Sequence, residues 1–511
     1  MSRLALWSKV NRRLGTILLV FTLALASFLR LYQLSALPPA VHPGEAVWFV
    51  LAKQLLADPV EFLRSSGGPQ LGFIVHISLG AIIQTINESI VVVRAMNAGF
   101  GILTVLGVYA LAKAWFGRRP ALIAAFLLAV SPWAITLSRS NLPVNIAMLV
   151  FVWLGVVVTR AYRSGKWPYW AASILLVIIG CMSARIFWVV PFLYLATLIV
   201  ALVRKKVRLT QNLLVVCVIS VVALVLLAAL AVGFGGGNPA RGLSKVLNNQ
   251  SIGTGIASQG RLVVENVSKT VAMFFVRGDE NNQVNLGGLP MMNVFVGLML
   301  LLGLFVAFAQ RTRLSYVFLL ITLVGCLLPG LFVAAAPDAY RTALVLPVAM
   351  ILAGVGANYL LRRWYGMFPV NTTARTLGLS LVILLLLLTG YQGYRQYFVA
   401  WAQDPVTFLA HREDLRTVAG LGAQNGVYVV ASSQDGSTLA AYRQTKGLQL
   451  GSIDDLEKQP VSKRPRYVIV LINGSTAEIK KRVEAKYPGS IYQEVRSEFD
   501  ERVLFGKYEV K

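Results

Sequence analysis

Long apolar runs separated by short polar or basic stretches fill the chain from about residue 15 to residue 392. A membrane-crossing helix needs about 20 mostly apolar residues, because every backbone N–H and C=O must find its partner inside the segment where water is absent. The runs 15–34, 90–113, 120–137, 145–160, 168–182, 186–203, 211–234, 291–309, 314–336, 342–361 and 376–392 predict about eleven transmembrane helices. Beyond Gly390 the pattern changes. Short runs at 427–431, 467–472, 490–495 and 503–508 predict strands, and 475–486 predicts a helix. Its Ser475 and Glu478 have capping-box spacing after an Asn473-Gly474 turn. The expected fold is therefore mainly α: a transmembrane domain over 1–392, followed by a small soluble α/β domain over 393–511.

The loops on one side are uneven. Residues 35–89 and 235–290 form long outer loops, and long loops in compact proteins usually carry a task. The first holds an amphipathic stretch at 45–56 and a second apolar stretch at 71–86, too short for a span and suited to lying along the interface.

Composition supports the membrane reading, since 56% hydrophobic against 14% charged residues is more apolar surface than a soluble core can hide. The net charge of +26 changes the picture through its placement. Lys9, Arg12 and Arg13 precede the first span, and Arg118/Arg119, Arg160/Arg163/Lys166, Arg204/Lys205/Lys206/Arg208, Arg311/Arg313 and Arg362/Arg363 fall in alternate short loops. A basic bias of that kind marks cytoplasmic loops rather than a nucleic-acid surface. It puts the N-terminus in the cytoplasm and the C-terminal domain outside, with no nucleic-acid partner. The first span, which resembles a signal peptide at its start, is read as a retained helix. Cys181, Cys217 and Cys326 all lie in apolar runs without CxxC spacing, so they imply neither a disulfide nor a metal site.

Ionisable residues at membrane depth or at its outer mouth are costly and so are the first functional candidates. Glu45 follows the Pro-rich turn at 37–43 and opens an amphipathic helix. A partly desolvated carboxylate there can take a proton from an acceptor hydroxyl, and it equally suits a helix N-terminus through the dipole. His42 stands beside it as a hydrogen-bond or proton partner, whereas His76 and His411 have no constellation around them in the sequence. Arg139, Arg185 and Arg341 each sit in an outer turn. If those turns are neighbours, three guanidinium groups form a phosphate site; singly, each is explained by snorkelling or, for Arg341, by pairing with Asp338. The loop 277–290 around Asp279 is dense in amides and turn formers, which fits sugar contact and a solvated loop alike.

Several segments together resemble a known family. They are Arg30-Leu31-Tyr32, Leu37-Pro38-Pro39 and His42-Pro43-Gly44-Glu45-Ala46; Arg94 with Gly101-Ile102-Leu103-Thr104-Val105, Tyr109 and Phe116-Gly117-Arg118; Ser131-Pro132-Trp133 with Ser138-Arg139; Gly278-Asp279-Glu280-Asn281 with Asn285 to Met291; and Pro329-Gly330, Ala336-Pro337, Arg341 and Pro347. In this order they are similar to the bacterial relatives of protein O-mannosyltransferases and of lipid A aminoarabinose transferase, the C-type (GT-C) membrane glycosyltransferases. The resemblance covers most of the membrane part. It implies inverting transfer of a hexose or pentose from a polyprenyl-phosphate donor to an acceptor protein, lipid or glycan on the outer face. It also implies a catalytic carboxylate in the first outer loop, here Glu45, and Arg residues on the donor phosphate, here Arg185 and Arg341. The remaining substrate contacts would come from His42, Arg139, Asn141 and Asp279. No cofactor is assigned, and a divalent metal stays open. Where the family carries an acidic pair this chain reads Gly44-Glu45, and in the second outer loop it offers Asn141 and Asn145 in place of an acid. A noncatalytic lipid-linked glycan binder or transporter, and a glycan polymerase or ligase, are the rival readings.

Overall fold

The computed structural model describes residues 3–62, 72–204, 256–333, 335–424, 426–442, 447–460, 464–471, 477–497 and 499–511. The protein is mainly helical, and contacts divide it into two units. The first comprises Met1–Tyr32, Val60–His76 and Ala95–Ala400; the second comprises Gln33–Pro59, Ile77–Arg94 and Trp401–Lys511. Two segments from the first long loop thus share a unit with the C-terminal domain.

Among the described residues, six helices are long and apolar enough to cross a membrane: Arg13–Leu31, Ile90–Phe116, Val144–Ser164, Arg185–Val203, Val345–Met367 and Thr372–Gln403. This is an integral membrane protein. A seventh span arises if Arg118–Val130 and Pro132–Ser138, bent by 61°, are counted as one. The bend has a local cause: Pro132 lacks the N–H that would continue the ladder, and Ser131 caps the next helix by accepting the Ala134 N–H. Trp167–Cys181, Val294–Ala309 and Leu314–Gly330 are apolar but shorter. The expected run 314–336 ends its α-helix at Leu327, just before Pro329. The expected span 211–234, the 473–475 turn and cap, and part of the 235–290 loop lie outside the described residues. Cys181 and Cys326 are buried free thiols.

Small residues set the closest helix approaches, as expected where lipid offers no hydrophobic force between helices. A Cβ on Gly303 would lie 2.0 Å from the Leu352 carbonyl oxygen, and one on Gly356 would lie 2.0 Å from that of Met299. Helices Val294–Ala309 and Val345–Met367 therefore touch backbone to backbone from both sides. Gly354 does the same against the Pro120 carbonyl at 2.5 Å.

Among the described residues of the second unit, five strands form one mixed sheet of order β2-β1-β3-β5-β4. They are β1 (Val427–Val430), β2 (Leu448–Gly451), β3 (Tyr467–Leu471), β4 (Ile491–Arg496) and β5 (Val503–Glu509). β1 runs parallel to β2 and β3, while β5 is antiparallel to β3 and β4. Strand side chains alternate faces, so Val427, Val429, Ile469 and Phe505 build one core with Leu415 and Val418, and Tyr428, Val468, Val470 and Tyr508 build another with Leu456 and Val483. Four of the strands coincide with the sequence expectation. β2 was not expected, because its four residues carry a Gln and a Gly and no strong alternation.

Candidate functional site

Two clusters of charge stand out, one in each unit. In the membrane unit, the short 3-10 helix Arg185–Trp188 presents Arg185 half-buried, with its guanidinium over the Phe73 ring at 5.1 Å. It lies within electrostatic reach of Arg341 and of the Tyr340 hydroxyl. Arg341 is half-exposed, and its Nε lies 3.3 Å from Asp338 Oδ2. Burial pushes the Tyr340 phenol up and Asp338 adds to that, while Arg341 and Arg185 oppose it. Asp279 joins this turn from the 277–291 loop: its Oδ2 accepts the Ala339 N–H at 2.7 Å and its Oδ1 accepts the Asn281 N–H at 2.8 Å. Burial lifts the Asp279 carboxyl to about 6, against the pull of those two amides. The outcome is two arginines within electrostatic reach of one another, near a tyrosine and two carboxylates, an arrangement able to hold an oxyanion and to exchange a proton nearby.

The amides of that loop are mostly occupied by the loop itself. Asn281 accepts the Gln283 N–H, Asn282 accepts the Gly287 N–H, and Asn285 donates to the Asp279 and Leu289 carbonyls. They fix its shape, which Gly278 also requires, since a Cβ there would meet the Leu289 carbonyl at 2.2 Å.

Arg139 is fully buried and serves a helix end. Its Nη1 donates to the Leu29 carbonyl at 3.1 Å, its Nε donates to the Tyr397 hydroxyl at 3.0 Å, and it stacks on the Tyr397 and Phe398 rings. Arg30, from the N-terminal helix, mirrors this at the bent pair by donating to the Leu128 and Ala129 carbonyls. Each arginine thus satisfies carbonyls that a helix terminus leaves without intrahelical partners. Asn141 sits in a buried amide network: its Oδ1 accepts from Asn97 at 3.1 Å, it hydrogen-bonds the His76 ring, and Asn145 donates to Asn97 Oδ1 at 3.1 Å.

In the second unit, the helix Pro43–Ala57 begins where the sequence expects it, with His42 as N-cap accepting the Gly44 N–H at 3.0 Å. Glu45 has no solvent exposure. Its Oε1 and Oε2 accept from Arg94 Nε at 3.2 Å and Nη2 at 2.7 Å, a buried two-pronged ion pair. Arg94 also donates to the Pro38 and Ala40 carbonyls. The His42 ring meets the His411 ring edge-on at 5.7 Å, so His411 does have a constellation, brought from across the chain. Burial lowers His42 to about 4 and His411 to about 3 from an ordinary 6.5. Both rings are neutral when folded, and in the unfolded chain both take up protons below about 6.5. Their contribution to stability is therefore complete above that pH and is lost as pH falls toward 4. Amide protection of residues 405–420, corrected for intrinsic exchange, should drop between pH 7 and pH 4.5, and should drop less in His411→Phe.

Among the described residues no three His, Cys, Asp or Glu side chains group as a metal site. Arg94 and Arg30, neither assigned a role from sequence, carried one legible signal, a lone cation within or at the end of an apolar helix. Tyr340, His411 and Tyr442 carried none.

Residues 72–231 match the family model described as dolichyl-phosphate-mannose-protein mannosyltransferase. The fold is similar to that of the apo oligosaccharyltransferase of Archaeoglobus fulgidus, with a TM-score of 0.59 at 13% identity over 96% of this chain and 75% of that one. The same archaeal enzyme, AglB, in complex with an inhibitory peptide and a dolichol-phosphate gives 0.55 at 13% identity, covering 98% and 74%. ArnT from Cupriavidus metallidurans in the apo state gives 0.54 at 13% identity, covering 99% of this chain and 98% of that one. No curated protein matches by sequence. At these identities the likeness is one of fold.

Proposed function

We propose, for a chain with the fold of the C-type membrane glycosyltransferases, that it transfers a hexose or pentose from a polyprenyl-phosphate donor to an acceptor hydroxyl on the outer face of a bacterial inner membrane. The acceptor is a protein, lipid or glycan. The observation that supports this reading is that Arg185 and Arg341, in two turns of the membrane unit, lie within electrostatic reach of one another and of Tyr340, on a turn that Asp279 holds through the Ala339 N–H. Two fixed cations suit a lipid phosphate, whose charge grows as the glycosidic bond breaks, and sheltered electrostatic stabilisation of such charge is usually the largest catalytic term. In this proposal the acceptor oxygen attacks the anomeric carbon with inversion, the bond to the phosphate oxygen breaks, polyprenyl phosphate departs, and the acceptor proton passes to a carboxylate. Glu45 is the proposed base, with His42 and Asp279 as proposed substrate contacts, whereas Arg139 and Asn141 are engaged within the membrane unit.

One observation favours a second reading, a noncatalytic binder of lipid-linked glycan: both Glu45 oxygens are engaged by Arg94 without solvent access, and Gly44 supplies no further carboxylate. The two readings part in one assay. Purified protein in detergent is given radiolabelled polyprenyl-phosphate hexoses and pentoses with membrane-extract acceptors. Label in the acceptor supports the transferase; donor binding without transfer supports the binder.

A further inference from the structure

Many polar groups of the segment 37–45 are held, and part of the holding comes from the C-terminal domain. The Val41 N–H, in a residue 1% exposed, donates to the Tyr442 hydroxyl at 2.8 Å. Arg416 Nη1 donates to the Pro39 carbonyl. Arg94 takes the flanking Pro38 and Ala40 carbonyls and both oxygens of Glu45. Both C-terminal groups are rigidly mounted. Arg416 stands on the helix Glu413–Gly420, and the Tyr442 ring packs against the core formed by Leu415, Val418 and Val427. Lys53 adds a bond from the helix Pro43–Ala57 to the Ala440 carbonyl at 3.3 Å.

Proline at 38 and 39 cannot donate a backbone hydrogen bond, so this turn has few ways of holding itself. Its shape is imposed from outside. We infer that the C-terminal domain is a clamp on the first long loop, with Tyr442 and Arg416 as positioning residues that fix the segment 37–45 and hence the placement of Glu45. This rests on the proposed transferase for its kinetic consequence, while the clamp itself is a matter of structure. The domain's contribution is to the geometry of the loop.

The test uses the full-length protein in detergent, as wild type, Tyr442→Phe, Arg416→Ala and Arg416→Lys. Tyr442→Phe keeps the ring and removes the acceptor of a buried N–H, so exchange of the Val41 amide should rise about tenfold. Arg416→Ala should raise exchange across 38–42, and Arg416→Lys should restore most of the protection. In the transfer assay, Tyr442→Phe and Arg416→Ala should lower kcat about tenfold with the donor KM unchanged, since they move a catalytic segment and leave the phosphate site alone. Unchanged exchange in both variants overturns the clamp. Raised exchange with unchanged kcat overturns the positioning role. If wild type transfers no sugar, the transferase reading fails, and exchange alone decides the clamp: a rise supports it, no rise refutes it.

Discussion

Replacing Arg185 with Ala is expected to reduce sugar transfer about 10²–10³-fold, the range found when one preorganised donor to a developing anion is removed. The loss should fall on kcat/KM, with most of it in kcat, because the phosphate gains charge as the sugar leaves. Arg185→Lys should recover little, since an ammonium cannot reproduce a planar fork set over the Phe73 ring at 5.1 Å. Arg341→Ala should cost less, because part of that guanidinium is already spent on Asp338 at 3.3 Å. Initial rates across donor concentrations settle this. A rise in KM with kcat intact would mean that Arg185 binds ground state and transition state alike, and no change in either constant would remove it from the donor site.

Glu45→Ala is expected to destabilise the second unit by about 3–5 kcal/mol, the usual cost of stripping one partner from a buried ion pair. The pair is nearly solvent-free, with side-chain exposures of 3% for Arg94 and 0% for Glu45. Arg94 would keep its bonds to the Pro38 and Ala40 carbonyls but lose the charge that balances it. The double variant Glu45→Ala/Arg94→Ala should be less destabilised than the sum of the two single variants, because no uncompensated charge is left behind. Glu45→Gln preserves shape but also removes the charge that balances Arg94, so its transfer is compared with wild type only where its fold is intact. If Glu45 is the base, transfer by this variant falls about 10²–10⁴-fold even at temperatures where the fold is intact. Transfer that tracks the loss of folded protein and no more would assign Glu45 to the loop's structure and leave the base to another carboxylate, with Asp279 the first to test.

Much of the fold was legible from local pattern. Among the described residues most of the apolar runs coincide with helices, the helix expected at 45–56 spans Pro43–Ala57, and four strands of the C-terminal sheet lie where short apolar runs predicted them. What local pattern misjudged are the details set by neighbours. The run 120–137 reads as one helix, yet it bends by 61° at Pro132, and Arg30, distant in sequence, donates to the Leu128 and Ala129 carbonyls there. The three arginines expected at one phosphate site divide by their surroundings: Arg185 and Arg341 fall within electrostatic reach of one another, whereas Arg139 is drawn to the Leu29 carbonyl and Tyr397.

The sequence by itself determined the solvent each segment requires. Twenty apolar residues must lie in lipid, and alternating short runs must build a half-buried sheet, whatever the rest of the chain does. Tertiary structure decided which polar groups meet. Glu45 and Arg94 are 49 residues apart, and Val41 and Tyr442 are 401 apart. No periodicity records such pairings. They form because a buried charge or N–H without a partner is too costly to leave, and the folded chain alone determines which partner is within reach.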